Sequence, residues 1–155
     1  MATVVSQLMT QSVKTVHQDM EVHELEKMFL AEKIHGAPVV DDAGRLVGVV
    51  SQTDLLTWHF ETGVDYASGV YEKADLRATG GRSLRINDIR SARVREVMTP
   101  VVHAILPGDT AQEAARRMIR HRIHRLVVVD SQLHVLGIVS AIDLLPLIGE
   151  RPALD

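Results

Sequence analysis

Short aliphatic runs alternate along this chain with segments whose apolar residues recur at helical spacing. In the second half, residues 101–105 form an apolar run of strand type, and the turn-forming residues Pro107, Gly108 and Asp109 follow it. Spacings of i, i+3, i+4, i+7, i+8 and i+11 then predict an amphipathic helix. Its predicted inner face is Ala111, Ala114, Ala115, Met118, Ile119 and Arg122, and its predicted outer face is Arg116, Arg117 and Arg120.

The start of this helix and the segments after it are predicted in the same way. Thr110 and Glu113 have the spacing of a capping box, in which hydroxyl and carboxylate satisfy free N–H groups of the first turn. Two β-branched runs follow, and their density of such residues favours strands buried on both faces. The predicted elements are strands at 126–129 and 135–139, a turn at 130–133 between them, and a helix at 141–148.

The first half repeats this order of elements. Aligning the chain with itself at an offset of 89 residues superimposes positions 4–56 on 93–145 without a gap, and 16 of the 53 columns are identical. Background composition would give about three or four identities, so two copies of one unit are present. The first copy has predicted strands at 13–16, 37–40 and 47–50, a turn at 41–44, and helices at 22–33 and from Thr53 onwards.

Each copy therefore has the order β-α-β-β-α, which is an α/β (α+β) arrangement. A unit of about 55 residues buries too little surface for an independent core, so we expect the two repeats to pack sheet to sheet about a pseudo-twofold axis. Such packing leaves clefts between related elements, where ligands bind. We assign residues 1–57 to the first repeat, 58–92 to a linker or insertion, 93–150 to the second repeat and 151–155 to a tail, with a short helical turn predicted at 91–97.

Composition and charge narrow the classes of function. The chain has no cysteine, which excludes disulfides, thiolate zinc ligands and a cysteine nucleophile. Neither an apolar run of ~18 residues nor a signal-peptide pattern is present, so we expect a cytoplasmic protein with no membrane partner. Residues 1–77 carry six Lys/Arg against twelve Asp/Glu, and residues 78–155 carry eleven against eight. The second half is the better place for an anion site, although an unevenly charged solvated surface would look the same.

Two pairs of segments resemble the CBS (cystathionine-β-synthase) domain. They are Gly48-Val-Val-Ser-Gln-Thr-Asp54 with Gly137-Ile-Val-Ser-Ala-Ile-Asp143, and Ile34-His-Gly-Ala-Pro-Val-Val-Asp41 with Ile123-His-Arg-Leu-Val-Val-Val-Asp130. Leu8-Met-Thr10 and Val97-Met-Thr-Pro100 resemble the usual opening of that domain. The resemblance implies a disc-shaped Bateman module with up to two clefts for adenosine nucleotides.

In this family the Asp that ends the Gly-h-h-Ser-x-x-Asp motif usually holds the ribose hydroxyls, which implies that role for Asp54 and Asp143. A carboxylate can accept two hydrogen bonds from a vicinal diol, so the chemistry suits the role. The resemblance also implies that Ser51, Thr53 and Ser140 face the ribose or the phosphate. A Ser-x-x-Asp spacing also caps any helix, so a purely structural role stays open.

A second group of residues resembles the phosphate-contacting segment of nucleotide-sensing CBS proteins, such as the regulatory subunit of AMP-activated protein kinase. The group is His121, Arg122, His124 and Arg125. Arginine offers a planar fork that matches phosphate oxygens. The first repeat has only Lys33 and His35 nearby, so we expect two unequal clefts. Basic residues at the end of a helix also offset its dipole, which is the structural alternative for His121 and Arg122.

The resemblance implies that the base lies against backbone of the first two strands of a repeat, where apolar side chains belong to the core by default. The positions are Thr15, Val16, Ala37, Pro38, Ala104, Ile105, Leu126 and Val127.

No other functional motif competes with this interpretation. The eight histidines form neither H-E-x-x-H nor a tetrahedral set, and P-loop, nucleophile-elbow and dinucleotide motifs are missing. The chain has no nucleic-acid-binding motif, and its net charge is −3. The resemblance implies a non-catalytic sensor module that requires no cofactor, binds AMP, ADP, ATP or S-adenosylmethionine, and regulates an unknown protein in trans.

Self-association is expected because the segments after both motifs are apolar on more than one helical face. These residues are Leu55, Leu56, Trp58, Phe60, Ile142, Leu144, Leu145, Leu147 and Ile148. We therefore expect a homodimer. The alternative function is a structural dimerisation module without a physiological small-molecule ligand.

Overall fold

A computed structural model of the chain describes residues 2–62, 92–100 and 103–149. The strands are β1 Val16–His17, β2 Gly36–Val40, β3 Leu46–Ser51, β4 Ala104–Ile105, β5 Arg125–Val129 and β6 Val135–Ser140. The helices are α1 Val22–Glu32, α2 Gln52–Thr62, α3 Val94–Val97, α4 Ala111–His121, α5 Ala141–Leu144 and α6 Pro146–Gly149, and a 3-10 turn covers Val5–Gln7. The predicted α+β order is confirmed. The predicted linker falls largely on residues 63–91, which lie outside the described residues. Residues 101–102 and the predicted tail also lie outside them.

Each repeat forms one three-stranded sheet, in the order β1-β2-β3 or β4-β5-β6. The first two strands of each sheet are parallel and the last two antiparallel. The central strands β2 and β5 are almost continuously buried, whereas β3 and β6 alternate between buried and partly exposed side chains. The prediction of strands buried on both faces is therefore right for the central strands and wrong for the outer ones, in which alternate side chains are partly exposed.

The first strand of each repeat is shorter than its apolar run. β1 covers Val16 and His17, which pair with Val39 and Val40, so the predicted strand at 13–16 overlaps it at one residue. The end of the second repeat also differs, since the predicted helix at 141–148 is two short helices. Pro146 begins the second of them, and a proline cannot donate the backbone hydrogen bond that would continue the first.

Helix α4 confirms the predicted period but buries a narrower stripe. Ala111, Ala114 and Met118 are buried, whereas Ile119 is 79 % exposed, so its predicted place on the inner face is wrong. Arg117 is not on the solvent side as predicted, because its guanidinium donates to the carbonyl of Ala104 at 2.8 Å. Only half of the predicted capping box forms: Thr110 Oγ1 accepts from the backbone N–H of Glu113. The Glu113 carboxylate instead accepts a hydrogen bond from Arg117.

The opening segment of each repeat packs into the core of the other repeat. Val5 is fully buried in the cluster of β4, α4, β5 and β6, and Leu8 and Met9 pack against that cluster. Val94 is fully buried in the cluster of the first sheet, with Val97 and Met98 against it. We call residues 4–10 and 93–99 the exchanged segments.

Backbone bridges fix both exchanged segments at equivalent positions. Thr10 pairs with Ile138 of β6, and Thr99 pairs with Val49 of β3. Nearer the start of each segment, the bridges are Val4 with Thr110 and Glu21 with Arg93. These contacts repeat at the 89-residue offset, so the predicted pseudo-twofold relation between the repeats holds in the structure.

The pseudo-twofold axis passes close to Arg45 and His134, which occupy equivalent positions and bridge each other. Beside this bridge, Leu46, Val127 and Val129 form a small buried cluster between the two sheets. Within the described residues, no helix is long and apolar enough to cross a bilayer.

Candidate functional site

The polar residues singled out in the second repeat lie at one end of its sheet. Strands β4 and β5 run parallel and both begin at this end, whereas antiparallel β6 finishes there. Arg125, the first residue of β5, is therefore paired with Ser140, the last residue of β6. The backbone N–H of Ala141 donates to the carbonyl of His124 at 2.9 Å, which holds the start of α5 against the same end.

Asp143 stands in the first turn of α5, and one of its carboxylate oxygens is occupied. Oδ2 accepts from the backbone N–H of Ser140 and from Ser140 Oγ, both at 2.7 Å. The helix-capping role of the Ser-x-x-Asp spacing is thus present. Among the described residues, no hydrogen bond reaches Oδ1 of Asp143, so this oxygen is available to a hydroxyl donor.

Asp54 repeats this arrangement in the first repeat with one addition. Its Oδ2 accepts from the backbone N–H and the hydroxyl of Ser51, at 2.7 and 2.8 Å. Its Oδ1 accepts from Thr99 Oγ1 at 3.3 Å, a side chain that the exchanged segment 93–99 brings across from the second repeat. The sequence reasoning did not identify Thr99, although Thr10 and Thr99 are an identical column of the repeat alignment. The two carboxylates therefore differ in how many of their oxygens are engaged.

The four basic residues of the second repeat are all solvent-exposed at this sheet end. His121 is the last residue of α4, Arg122 follows it in the left-handed conformation with φ of 53°, and His124 and Arg125 lead into β5. In the first repeat, Lys33 adopts the same left-handed conformation, and Nδ1 of His35 lies 3.1 Å from Oε1 of Gln52. The predicted inequality of charge between the two sheet ends is therefore present in the described residues.

The rings of His121 and His103 stack at the end of α4, with centroids 4.0 Å apart and planes inclined at 24°. Local desolvation lowers the pKa of His121, and electrostatic interactions with His103, Arg120 and Arg117 lower it further. The sequence reasoning did not identify His103, because the residue lies in no motif and only the fold brings it to α4.

The predicted base-contacting positions are mostly closed to side-chain contact. Val16, Ala37, Pro38, Ile105, Leu126 and Val127 are buried, Ala104 is partly buried and Thr15 is exposed. Thr53 is also exposed, and its carbonyl accepts from Thr57 Oγ1 at 3.0 Å. A ligand at the buried positions could reach backbone groups more readily than side chains.

The glycine of each Gly-h-h-Ser-x-x-Asp motif lies beneath an exchanged segment. A Cβ on Gly48 would lie 2.7 Å from Met98 Sδ and 2.9 Å from the carbonyl oxygen of Thr99. A Cβ on Gly137 would lie 2.5 Å from the carbonyl oxygen of Thr10. The glycine is therefore required because the backbone of the other repeat crosses the strand here.

Within the described residues, one set of side chains has ligand atoms close enough for a metal ion. It consists of His17, Asp19 and Asp42, whose ligand atoms lie within 4.8 Å of one another. Each residue already has a partner. His17 Nε2 lies 2.8 Å from Asp42 Oδ1, and Arg95 of the exchanged segment lies 2.9 Å from Asp19 Oδ1. The group is an ion-pair network that ties segment 93–99 to the first repeat.

Comparison with known proteins gives a family and several relatives. The family model of the CBS domain matches residues 5–61 and again residues 94–150. Protein MJ1426 of Methanocaldococcus jannaschii is 32 % identical over 138 residues, which cover 84 % of this chain and 82 % of that protein. The gamma-3 subunit of 5′-AMP-activated protein kinase of Sus scrofa is 30 % identical over 81 % of this chain. That match spans only 21 % of the kinase subunit.

Among solved structures, CBSX2 in complex with AMP superimposes with a TM-score of 0.69. The sequence identity is 25 %, and the superposition covers 96 % of this chain and 97 % of CBSX2.

Proposed function

The chain belongs to the CBS domain family as a tandem pair, and from this we propose that it is a non-catalytic regulatory module that binds an adenosine nucleotide. AMP is the first ligand to test, since CBSX2, which shares the fold over nearly the whole chain, was solved with AMP. ADP, ATP and S-adenosylmethionine are the other candidates, and none of them is needed as a catalytic cofactor. The regulated protein would be a separate chain in the cytoplasm.

The observation that carries the proposal is the grouping of Asp143 with four exposed basic residues at one end of the second sheet. The carboxylate of Asp143 offers Oδ1 to a ribose hydroxyl, and the guanidinium of Arg125 stands on the strand paired with Ser140. A nucleotide needs a hydrogen-bond acceptor for its ribose diol and cations for its phosphate. The acceptor Asp143 and the basic residues lie at the same end of the second sheet. The buried apolar positions beside them leave backbone for the base.

The first repeat is proposed as a second, weaker cleft. Asp54 has both carboxylate oxygens engaged, so a ribose there must displace the Thr99 hydroxyl. Lys33 and His35 give fewer positive charges for a phosphate.

The experiment is thermal unfolding with AMP, ADP, ATP, S-adenosylmethionine and adenosine, followed by calorimetry on the ligands that stabilise the fold. A ligand at 100 times its dissociation constant adds about 2.7 kcal/mol to the free energy of unfolding. Stabilisation by none of the five would contradict the proposal and favour the structural dimerisation module.

We also propose that two copies associate through the helices that follow the two motifs. Leu55 is buried and Trp58 packs against the core, whereas the opposite faces expose large apolar side chains. The exposed residues are Leu56, Phe60, Ile142, Leu145, Leu147 and Ile148. The occurrence of these exposed apolar side chains on the helices after both motifs supports an association surface there.

A further inference from the structure

The two repeats differ at one pair of equivalent positions where the first strand meets the first helix. In the first repeat, Lys14 Nζ lies 3.8 Å from Glu32 Oε1, in an exposed ion pair. The same positions in the second repeat, 89 residues further on, are His103 and His121, whose rings stack at 4.0 Å. Where the first repeat has a charge pair that neutralises itself, the second has two titratable rings in contact.

The stacked rings lie at the sheet end that carries the basic residues. His103 directly precedes Ala104, which pairs with Val127 of β5, so the ring stands at the level of the first residues of that strand. Arg117 holds α4 at this place by donating to the Ala104 carbonyl. His121 is followed at once by Arg122, the left-handed residue that ends the helix.

The charged groups around the stack disfavour a second proton on it. Arg117 and Arg120 of α4 oppose a positive His121, and Arg122, His124 and Arg125 belong to the same sheet end. Among the described acids of this region, Glu113 and Asp109 both pair with Arg117, and Asp143 binds Ser140 through one carboxylate oxygen. Two imidazolium rings 4 Å apart would also repel each other. Without a ligand, desolvation and the nearby positive charges keep the pKa of His121 below its ordinary value.

An anion beside the stack would reverse this balance. The negative charge of a phosphate stabilises positive charge on the neighbouring rings and so offsets their mutual repulsion. The phosphate oxygens also accept hydrogen bonds from a protonated imidazole. The arginines stay charged at every relevant pH, so they attract phosphate without any change of protonation. Among side chains, imidazoles ordinarily titrate near neutral pH, and the phosphate of the ligand also titrates at about pH 6. The contribution of the two rings is therefore read from the difference between the parent protein and a variant that lacks them.

We propose that His103 and His121 form a proton-linked part of the phosphate site in the second repeat, so that an anionic phosphate binds together with about one proton. His103 becomes a specificity residue that favours phosphorylated over unphosphorylated adenosine compounds in acid. This inference deepens the proposed function and rests on it for the identity of the ligand. Uptake of between half a proton and one proton strengthens phosphate binding roughly three- to tenfold per pH unit as the pH falls from about 7.5 to about 6.5, a range above the second pKa of the phosphate at about 6.

The test measures proton uptake directly. Calorimetry of AMP, adenosine and inorganic pyrophosphate is run near pH 6.5 in two buffers with different heats of ionisation, and the imidazole resonances of His103 and His121 are followed by NMR. AMP and pyrophosphate should bind with proton uptake and should move both histidine resonances together. Adenosine should bind with none.

Two variants separate a proton-linked role from mere packing. H103K/H121E installs the ion pair that the first repeat already tolerates, so the fold should persist, and proton uptake should fall to near zero with at least a threefold loss of AMP affinity at pH 6. The matched control is H23N in the first turn of α1, an exposed histidine outside both proposed clefts, which should keep the uptake of the parent protein. Loss of uptake in H23N but not in H103K/H121E would overturn the inference.

The titrations with the three ligands also distinguish failure of this inference from failure of the proposed function. AMP binding that is independent of buffer and pH would overturn the inference and leave the function standing. If no adenosine compound binds, the function fails, and the pyrophosphate arm decides the inference alone: uptake with shifted His103 and His121 resonances supports it, and its absence overturns it.

Discussion

Thr99 donates a hydrogen bond to Asp54 across the boundary between the repeats, whereas its equivalent Thr10 makes no such bond to Asp143 in the described residues. This one contact distinguishes two carboxylates that the sequence makes equivalent. A ribose that approaches Asp54 must replace the Thr99 hydroxyl, and a ribose that approaches Asp143 need not. The second repeat should therefore bind first.

Replacing Asp143 with Ala should remove most nucleotide binding and cost ~1.5–3 kcal/mol of binding free energy, because charge-assisted hydrogen bonds to the ribose are lost. The change also removes a helix cap, so thermal unfolding must show that the fold persists. Asp143→Asn is the matched variant, since it keeps a side-chain oxygen that can accept the cap hydrogen bonds and removes only the charge. Isothermal calorimetry measures both, and parent-like binding by Asp54→Ala, Asp143→Ala and their double variant would show that neither carboxylate holds ribose.

Thr99→Val should make the clefts more alike, because it frees Oδ1 of Asp54 while keeping the volume of the side chain. We expect affinity at the weaker cleft to rise by up to ~1 kcal/mol, the typical net value of one hydrogen bond. Two-site calorimetry measures the change. A weaker second site in Thr99→Val would mean that the hydroxyl contacts the ligand itself.

The preference for AMP over adenosine should depend mainly on Arg125 and His124. Replacing both with Ala should flatten that preference, and raising the salt concentration should weaken AMP binding in the parent, because the basic groups are exposed to solvent. His35→Ala should change the preference little. Calorimetry at two salt concentrations measures all three, and an unchanged preference in the double variant would leave these residues with only a helix-end role.

Gly137→Ala should destabilise the protein by ~1–3 kcal/mol, since the added methyl group meets the Thr10 carbonyl at 2.5 Å and backbone must shift. Gly108→Ala is the matched control, because a Cβ there has nothing within 4 Å. Chemical denaturation of both variants gives the difference. Equal stabilities would show that the exchanged segment packs less closely on β6 than described.

The turn carboxylate of Asp130 should make stability depend on pH in the acid range. A backbone N–H of His134 lowers the pKa of Asp130, so its contribution is full above the unfolded value near 3.9 and is lost as pH falls through the folded value. Asp130→Asn should therefore be less stable than the parent at pH 7, and the gap should narrow below pH ~4. Denaturation curves across pH measure this, and a gap that stays constant from pH 7 to below pH ~4 would contradict it.

The repeat alignment predicted most of the fold, because strand and helix periods are local properties of the chain. It correctly paired Asp54 with Asp143 as residues in the first turn of a helix. It failed where tertiary packing decides: Ile119 fits the helical period but is exposed, because the neighbours of α4 cover only a narrow stripe. Pro146 breaks the predicted last helix, and proline is the local signal in the sequence for that break.

The contacts of the site were harder to predict than its residues. A self-alignment shows that Thr10 and Thr99 are equivalent, but it does not show that each crosses to the other repeat. The stack of His103 on His121 could not be predicted from the alignment either. Neither residue has an identical counterpart in the first repeat, so the alignment does not single it out.

The exchanged segments mean that the unit duplicated in the sequence is not the unit that folds. A repeat cut out at residues 93–150 would leave the place of Val5 in its core empty and carry Val94 with no core to enter. Two such fragments could satisfy each other only by trading segments, which is how domain-swapped dimers form. Experiments on one isolated repeat would therefore describe a segment-swapped dimer and not a folded monomer. A break in the covalent chain between Thr62 and Ala92 should leave the two pieces associated.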